Sequence, residues 1–134
     1  MTLPQPVITD VSAPYWDALQ AGRLMYQHCA HCGASWLPPR EHCPECLEAG
    51  PEWRAASGKA RLVSWVVYHI AYNEAFKDRL PYNVACVELA EGPRLLSNIV
   101  SGDMARDLVL DAPLELRIEH EDGMALPRFV CETS

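Results

Sequence analysis

The sequence predicts a mainly β fold: a short N-terminal helix, then a four-cysteine metal clip, then a five-stranded domain. Three observations carry that prediction. Four of the six cysteines sit in "CAHCGASWLPPREHCPEC" as two C-x2-C pairs. From about Ala60 onward, β-branched and aromatic runs alternate with turn residues. Ahead of the cysteines, Trp16 and Leu19 recur at helical spacing between a capping residue and a glycine. The expected divisions are 1–26 for the helical segment, 27–53 for the metal module and 54–134 for the β domain. The seam falls near "EAGPEWRAASGK", where Gly50, Pro51, Ser57 and Gly58 interrupt any periodicity.

Taken in order, the helix has Ser12 as its expected cap, Pro14 in its opening turn and Gly22 at its end. Tyr15 and Trp16 read as packing anchors, because aromatics bury well beside a core. "RLMYQHC" alternates enough to be a strand leading into the first cysteine pair. Pro38-Pro39 makes an extended link that keeps the two pairs out of one helix. "ARLVSWVVYHIAY" follows as a long strand, with Leu62, Ser64, Val66, Tyr68 and Ile70 on one face. Val63, Trp65, Val67, His69 and Ala71 line the other, so both faces are largely apolar. Strands "PYNVACVEL", "RLLSNIV", "PLELRIEHE" and "LPRFVC" complete the set. "SGDMARDLVL" is a candidate short helix capped by Ser101 or Asp103. Five strands with a small helix between the third and fourth match the Greek-key OB barrel, with an isolated five-stranded sheet as the alternative.

Two C-x2-C pairs bring four thiolates around a tetrahedral ion, and Gly33 suits the positive-φ turn after the first pair. Cys29, Cys32, Cys43 and Cys46 are the expected ligands of a structural Zn2+. Iron is the rival, since four-thiolate tetrahedra accept either metal; the short gap and the lack of a redox partner domain favour zinc. Four cysteines leave no open position for water, so the metal is expected to stabilise and not to react. His28, His31 and His42 flank a ligand shell that is already complete. Cys86 reads as a small buried residue, and Cys131 has no evident base beside it.

Composition narrows the function. The formal charge is −7, from 11 Lys+Arg against 18 Asp+Glu. That sign disfavours nucleic acid, whose binders neutralise phosphates with basic surfaces; Lys59/Arg61 and Lys77/Arg79 are only pairs. No apolar run approaches the ~20 residues of a membrane helix, and the N-terminus does not read as a signal peptide. A cytoplasmic location follows as the expectation, with reduced thiols holding metal. There is no G-x-S-x-G, phosphate-cradling glycine loop or H-E-x-x-H. His69 reads as a satisfied barrel residue, and Glu119, Glu121 and Asp122 as a solvated strand end. The chain alone is not expected to be an enzyme.

"CAHCGASWLPPREHCPEC", Trp53, "GKARLVSWVVYH", "LPYNVACVELAEGPRLLSNIV" and "LPRF" together resemble the zinc-ribbon/OB-fold proteins of acyl-CoA metabolism. That family has long been carried as a domain of unknown function. The likeness runs from about Tyr15 to Phe129. It implies a rubredoxin-like zinc ribbon before the OB barrel, and a non-catalytic accessory subunit of a thiolase-fold enzyme that helps bind an acyl-CoA. Thiolases and steroid or lipid side-chain aldolases are the partners so implied; a hotdog-fold enoyl-CoA hydratase is the alternative. A single-stranded nucleic-acid module is a further alternative, from fold analogy alone. CoA phosphates want cations and its pantetheine arm wants an apolar groove. Phe76, Lys77 and Arg79, with Tyr82 beside them and Arg40 in the ribbon, are the candidate acyl-CoA contacts. The chain departs from the family in "LDAPLEL", which lacks the usual glycine before the fourth barrel strand; Asp111-Ala112-Pro113 is expected to make that turn.

Overall fold

The computed structural model describes residues 8–70, 80–100, 108–121 and 123–131. Helix α1 (Ala13–Gln20) opens the fold. Pro14 sits in its first turn, as expected. Ser12 holds the cap position without a side-chain bond to the helix, because its Oγ accepts instead from the Thr9 N–H at 2.9 Å. The C-terminus ends as expected at Gly22, at φ +86°. There the Arg23 N–H reaches Ala18 O at 2.8 Å and the Gly22 N–H reaches Leu19 O at 3.0 Å, a Schellman closure.

Two sheets follow. Strands β1 (Met25–His28), β2 (Ser35–Trp36) and β3 (Glu52–Ala55) form an antiparallel sheet in the order β2-β1-β3. The expected seam therefore contains a strand, and β3 pairs Trp53 with Gln27. Strands β4 (Lys59–Tyr68), β5 (Tyr82–Leu89), β6 (Arg94–Ser97), β7 (Pro113–Glu121) and β8 (Met124–Cys131) form the second sheet, ordered β6-β5-β4-β7-β8. The sheet curls until its ends meet. Ile99 bridges Phe129 in parallel, the Phe129 N–H donates to Asn98 O at 3.0 Å, and the Val100 N–H donates to Phe129 O at 2.9 Å. That closure selects the OB barrel over an isolated sheet. The expected helix over "SGDMARDLVL" lies largely outside the described residues.

The long strand departs from the expected pattern in an instructive way. Its pairing with β5 slips between Leu62 and Ser64, a bulge at Val63. Ala60 and Leu62 face inward before the bulge; Trp65 and Val67, opposite Ala85 and Asn83, face inward after it. The predicted single face of Leu62 with Val66 is thus split: Leu62 is fully buried and Val66 is 52% exposed. His69 lies exposed past the end of the strand and not inside the barrel. The turn before β7 works without glycine because Asp111 itself takes φ +62°, its N–H bonding Leu62 O at 2.8 Å. Aspartate tolerates this left-handed region better than most residues.

The core joins the helix to the barrel. Leu62, Val87, Leu89, Leu114 and Phe129 pack with Tyr15, Leu19 and Leu24 in one cluster. Gln20 Nε2 donates to Gly123 O at 3.1 Å, pinning α1 over the β7–β8 turn. Burial pushes the Tyr15 hydroxyl up to about 12. Trp16 stacks on Tyr15 at 5.0 Å while staying partly exposed.

Charges on the barrel surface are mostly engaged. Lys59 pairs with Glu115 at 3.1 Å, and Arg61 with Glu88 at 3.1 Å and with Asp111. The acidic strand end is also paired: Glu119 and Glu121 bind Arg128, whose side chain is only 11% exposed. Glu88 accepts from Arg94 Nε at 2.9 Å. That bond, together with Arg61, holds the Glu88 carboxyl below its usual range against the burial that opposes ionisation. A depressed folded-state pKa contributes stability above the unfolded value of about 4.3 and loses it as pH falls through the folded one. Thermal melts should therefore show a Glu88→Gln variant less stable than the parent at pH 7, the gap closing below about pH 4. A constant gap across that range would refute the role given to ionised Glu88.

Candidate metal centre and adjoining clefts

The ribbon places its two cysteine pairs by the same local device. After the first pair the Gly33 N–H bonds Cys29 O at 2.8 Å, and after the second the Leu47 N–H bonds Cys43 O at 2.9 Å. The Cys29 N–H returns to Ala34 O and the Cys43 N–H to Glu48 O. Gly33 takes φ +82°, as its position predicts; Leu47 takes φ +67° without being glycine. The Leu47 side chain is 73% exposed, so little burial offsets the backbone strain. Leu47→Gly is accordingly expected to stabilise the zinc-loaded chain by roughly 0.5–1 kcal/mol. A thermal melt checks this; a lower melting temperature would contradict it.

Sγ atoms of Cys29, Cys32, Cys43 and Cys46 all lie within 4.8 Å of one another. Contacts across the pairs are 3.5 Å for Cys32–Cys43 and 3.6 Å for Cys29–Cys46. A tetrahedron with zinc–sulfur bonds of about 2.3 Å has edges of about 3.8 Å, so the donors fit. Backbone N–H groups also point at the sulfurs, from Cys32 to Cys29 and from Glu45 and Cys46 to Cys43, as thiolates require. Burial opposes ionisation of Cys43, yet the N–H groups of Cys46 and Glu45 and neighbouring thiols bring it down to about 7. This is a structural zinc centre, and bound zinc supplies a cross-link between β1 and the second pair.

On β1, Gln27 plays a role the sequence alone does not show. It is 2% exposed, and its Oε1 accepts from Trp36 Nε1 at 2.7 Å and from the Arg40 N–H at 2.6 Å. A glutamine facing inward on a short strand was the available signal. The link it holds, Leu37 to Arg40, walls two clefts. One, about 340 Å³, sets Arg40, Asp10, Glu41 and His42 among Val11, Pro14, Pro51 and Trp53, so it is mixed in character. The other, about 320 Å³, is apolar, lined by Trp16, Leu37, Pro38, Pro39, Leu95 and Leu96.

Of the five candidate acyl-CoA contacts, Arg40 is exposed in the first of these clefts. Tyr82 stands elsewhere, on the outer barrel face, stacked on Tyr68 at 5.2 Å. Phe76, Lys77 and Arg79 lie outside the described residues. Cys86 is not buried as expected but half-exposed on that same outer face, between Ser64 and Leu96. The face carries Val66, Val84 and the 72% exposed Leu96 and ends in the Arg61–Glu88–Arg94 row.

Residues 16–52 match the family described as the ChsH2 rubredoxin-like zinc ribbon domain, and residues 53–119 match the ChsH2 C-terminal OB-fold domain. A DUF35 domain-containing scaffold protein of Methanothermobacter thermautotrophicus is 46% identical over 110 residues, 78% of this chain and 82% of that one. The chain belongs to the ChsH2 (DUF35) family. Another relative of this DUF35 chain, at 34% identity over 127 residues, is a probable enoyl-CoA hydratase alpha subunit of Thermomonospora curvata. The match takes in 94% of this chain but spans only 39% of that protein. Among solved structures, a chain of the Ltp2-ChsH2(DUF35) aldolase superposes with a TM-score of 0.84 at 32% identity, covering 95% of this chain and 98% of that one. A DUF35 protein of unknown function from Sulfolobus solfataricus, with a TM-score of 0.65 and 16% identity, shares the fold. Among the described residues, no helix is long and apolar enough to cross a membrane.

Proposed function

We propose that this chain is a non-catalytic accessory subunit that docks on a thiolase-fold enzyme, a thiolase or a steroid or lipid side-chain aldolase, and helps hold its acyl-CoA. The likeness to a chain of the Ltp2-ChsH2(DUF35) aldolase, over nearly the full length of both, carries this reading. Two further observations support it: a relative is named as a scaffold protein, and four thiolates close the metal to substrate. The helical segment (1–26), ribbon (27–53) and barrel (54–134) act as one docking unit in the cytoplasm.

On this reading Arg40 meets a phosphate at the rim of the cleft it lines. The segment bearing Phe76, Lys77 and Arg79, with Tyr82 at its foot, gives a second contact. A charge-assisted hydrogen bond is worth about 1.5–3 kcal/mol. Titrating the assembled complex with an acyl-CoA should therefore show Arg40→Ala weakening binding about ten-fold or more, at unchanged complex mass. Unaltered affinity would remove Arg40 from the site. The relative named as a hydratase subunit favours a second reading, an accessory subunit of a hotdog-fold enoyl-CoA hydratase. Retention of a hydratase and not a thiolase-fold enzyme on the tagged chain would select it.

A further inference from the structure

The four sulfurs are unequally shielded. Cys29 and Cys43 are 4% and 1% exposed, Cys46 is half-buried, and Cys32 is exposed. The sulfur in short contact with Cys32 belongs to Cys43, in the opposite pair, at 3.5 Å. Between these two residues runs the Leu37–Arg40 link, which walls both clefts and is tied to β1 through Gln27 Oε1. Oxidation of the exposed sulfur would thus act directly on the segment that shapes the surface beside the barrel.

We propose that the centre is an oxidation-sensitive latch, entered at Cys32 and closed as a Cys32–Cys43 disulfide, whose opening frees the Leu37–Arg40 link. The oxidant class is hydrogen peroxide. The Cys32 sulfur attacks one peroxide oxygen, the O–O bond breaks, and the second oxygen leaves as water after taking a proton. Cys32 is then a sulfenic acid. The Cys43 sulfur attacks it, the S–S bond forms, and the hydroxyl leaves as a second water with another proton. Two thiolates lose two electrons, and one peroxide gains them. With half its ligands consumed, the centre gives up its metal.

The test uses the full zinc-loaded chain carrying Cys86→Ser and Cys131→Ser, so that only the four ribbon thiols respond. Peroxide should release zinc in step with the loss of two thiols per chain. Peptide mapping should find Cys32 joined to Cys43, and the Arg40 amide should lose hydrogen-exchange protection. Dithiothreitol with zinc should restore all three. Should the double variant fold poorly, mapping the wild-type chain gives the same reading. Three outcomes would overturn the proposal. The first is zinc retained at peroxide concentrations that oxidise Cys86 in the wild type. The second is a disulfide that omits Cys32. The third is zinc loss that leaves Arg40 protected.

Discussion

Cys29→Ser is expected to abolish zinc binding and unfold the ribbon. Cys29 is 4% exposed and works in three ways: its sulfur is a ligand, its carbonyl accepts from Gly33, and its N–H donates to Ala34. Besides the metal cluster, the ribbon sheet has only the four-residue β1 and β3 and the two-residue β2. Among the described residues, the buried cluster around the sulfurs includes one non-cysteine side chain, Trp36. So small a core cannot hold the fold by burial alone. Structural zinc supplies apparent binding free energies of about 10–16 kcal/mol to modules of this kind. Serine offers no thiolate, and the remaining three sulfurs lose the closed tetrahedron. Metal analysis should find the zinc gone, and hydrogen exchange should show β1–β3 unprotected with the barrel strands still protected. A variant that kept its zinc and melted with the parent would break the four-ligand assignment.

Phe129→Ala should cost the barrel about 3–5 kcal/mol, the range for emptying a buried aromatic site. Phe129 is 0% exposed and is the largest fully buried side chain among the described residues. Its backbone also makes two of the hydrogen bonds that close the barrel, to Asn98 and Val100. The ring packs in the cluster that includes Leu19 of the helix and Leu62 of the bulged strand, so the cavity would open where three segments meet. Domains are commonly stable by only about 5–15 kcal/mol, which puts the variant near its limit. Phe129→Leu retains most of the volume and should lose less, roughly 1–2 kcal/mol. Denaturant titration separates the two. An alanine variant within 1 kcal/mol of the parent would show that the barrel does not depend on this residue.

What could be read from the residues alone follows from how local each signal is. The four ligands are legible because a thiolate tetrahedron needs two close pairs and nothing else in the chain supplies them. Strands β5 and β7 are legible because Ala85, Val87 and Leu89, or Leu114 and Leu116, alternate with solvent-facing neighbours. The bulge at Val63 is not, since every residue from Leu62 to Val67 except Ser64 is apolar and either register looks satisfied. Strands β2 and β3 escape notice because "SW" and "EWRA" are too short to show a period. Gly33 announces its left-handed turn, whereas Leu47 takes the same local turn with no glycine to signal it, and Asp111 takes its own under constraint from a bond to Leu62 far along the chain. Gln27 belongs to the same class: its partners, Trp36 and Arg40, are set by tertiary packing and not by spacing. The candidate ligand contacts were the least legible, because single exposed cations carry no pattern.

The most direct test of the accessory-subunit account is co-expression of this chain, tagged, with thiolase-fold enzymes from the same cell, followed by light scattering on the purified material. The account predicts a stable complex of defined mass that contains the thiolase-fold enzyme and shows acyl-CoA turnover, with no turnover expected from this chain by itself. Recovery of this chain only as a zinc-loaded monomer, with every thiolase-fold enzyme in the flow-through and no acyl-CoA affinity, would contradict it.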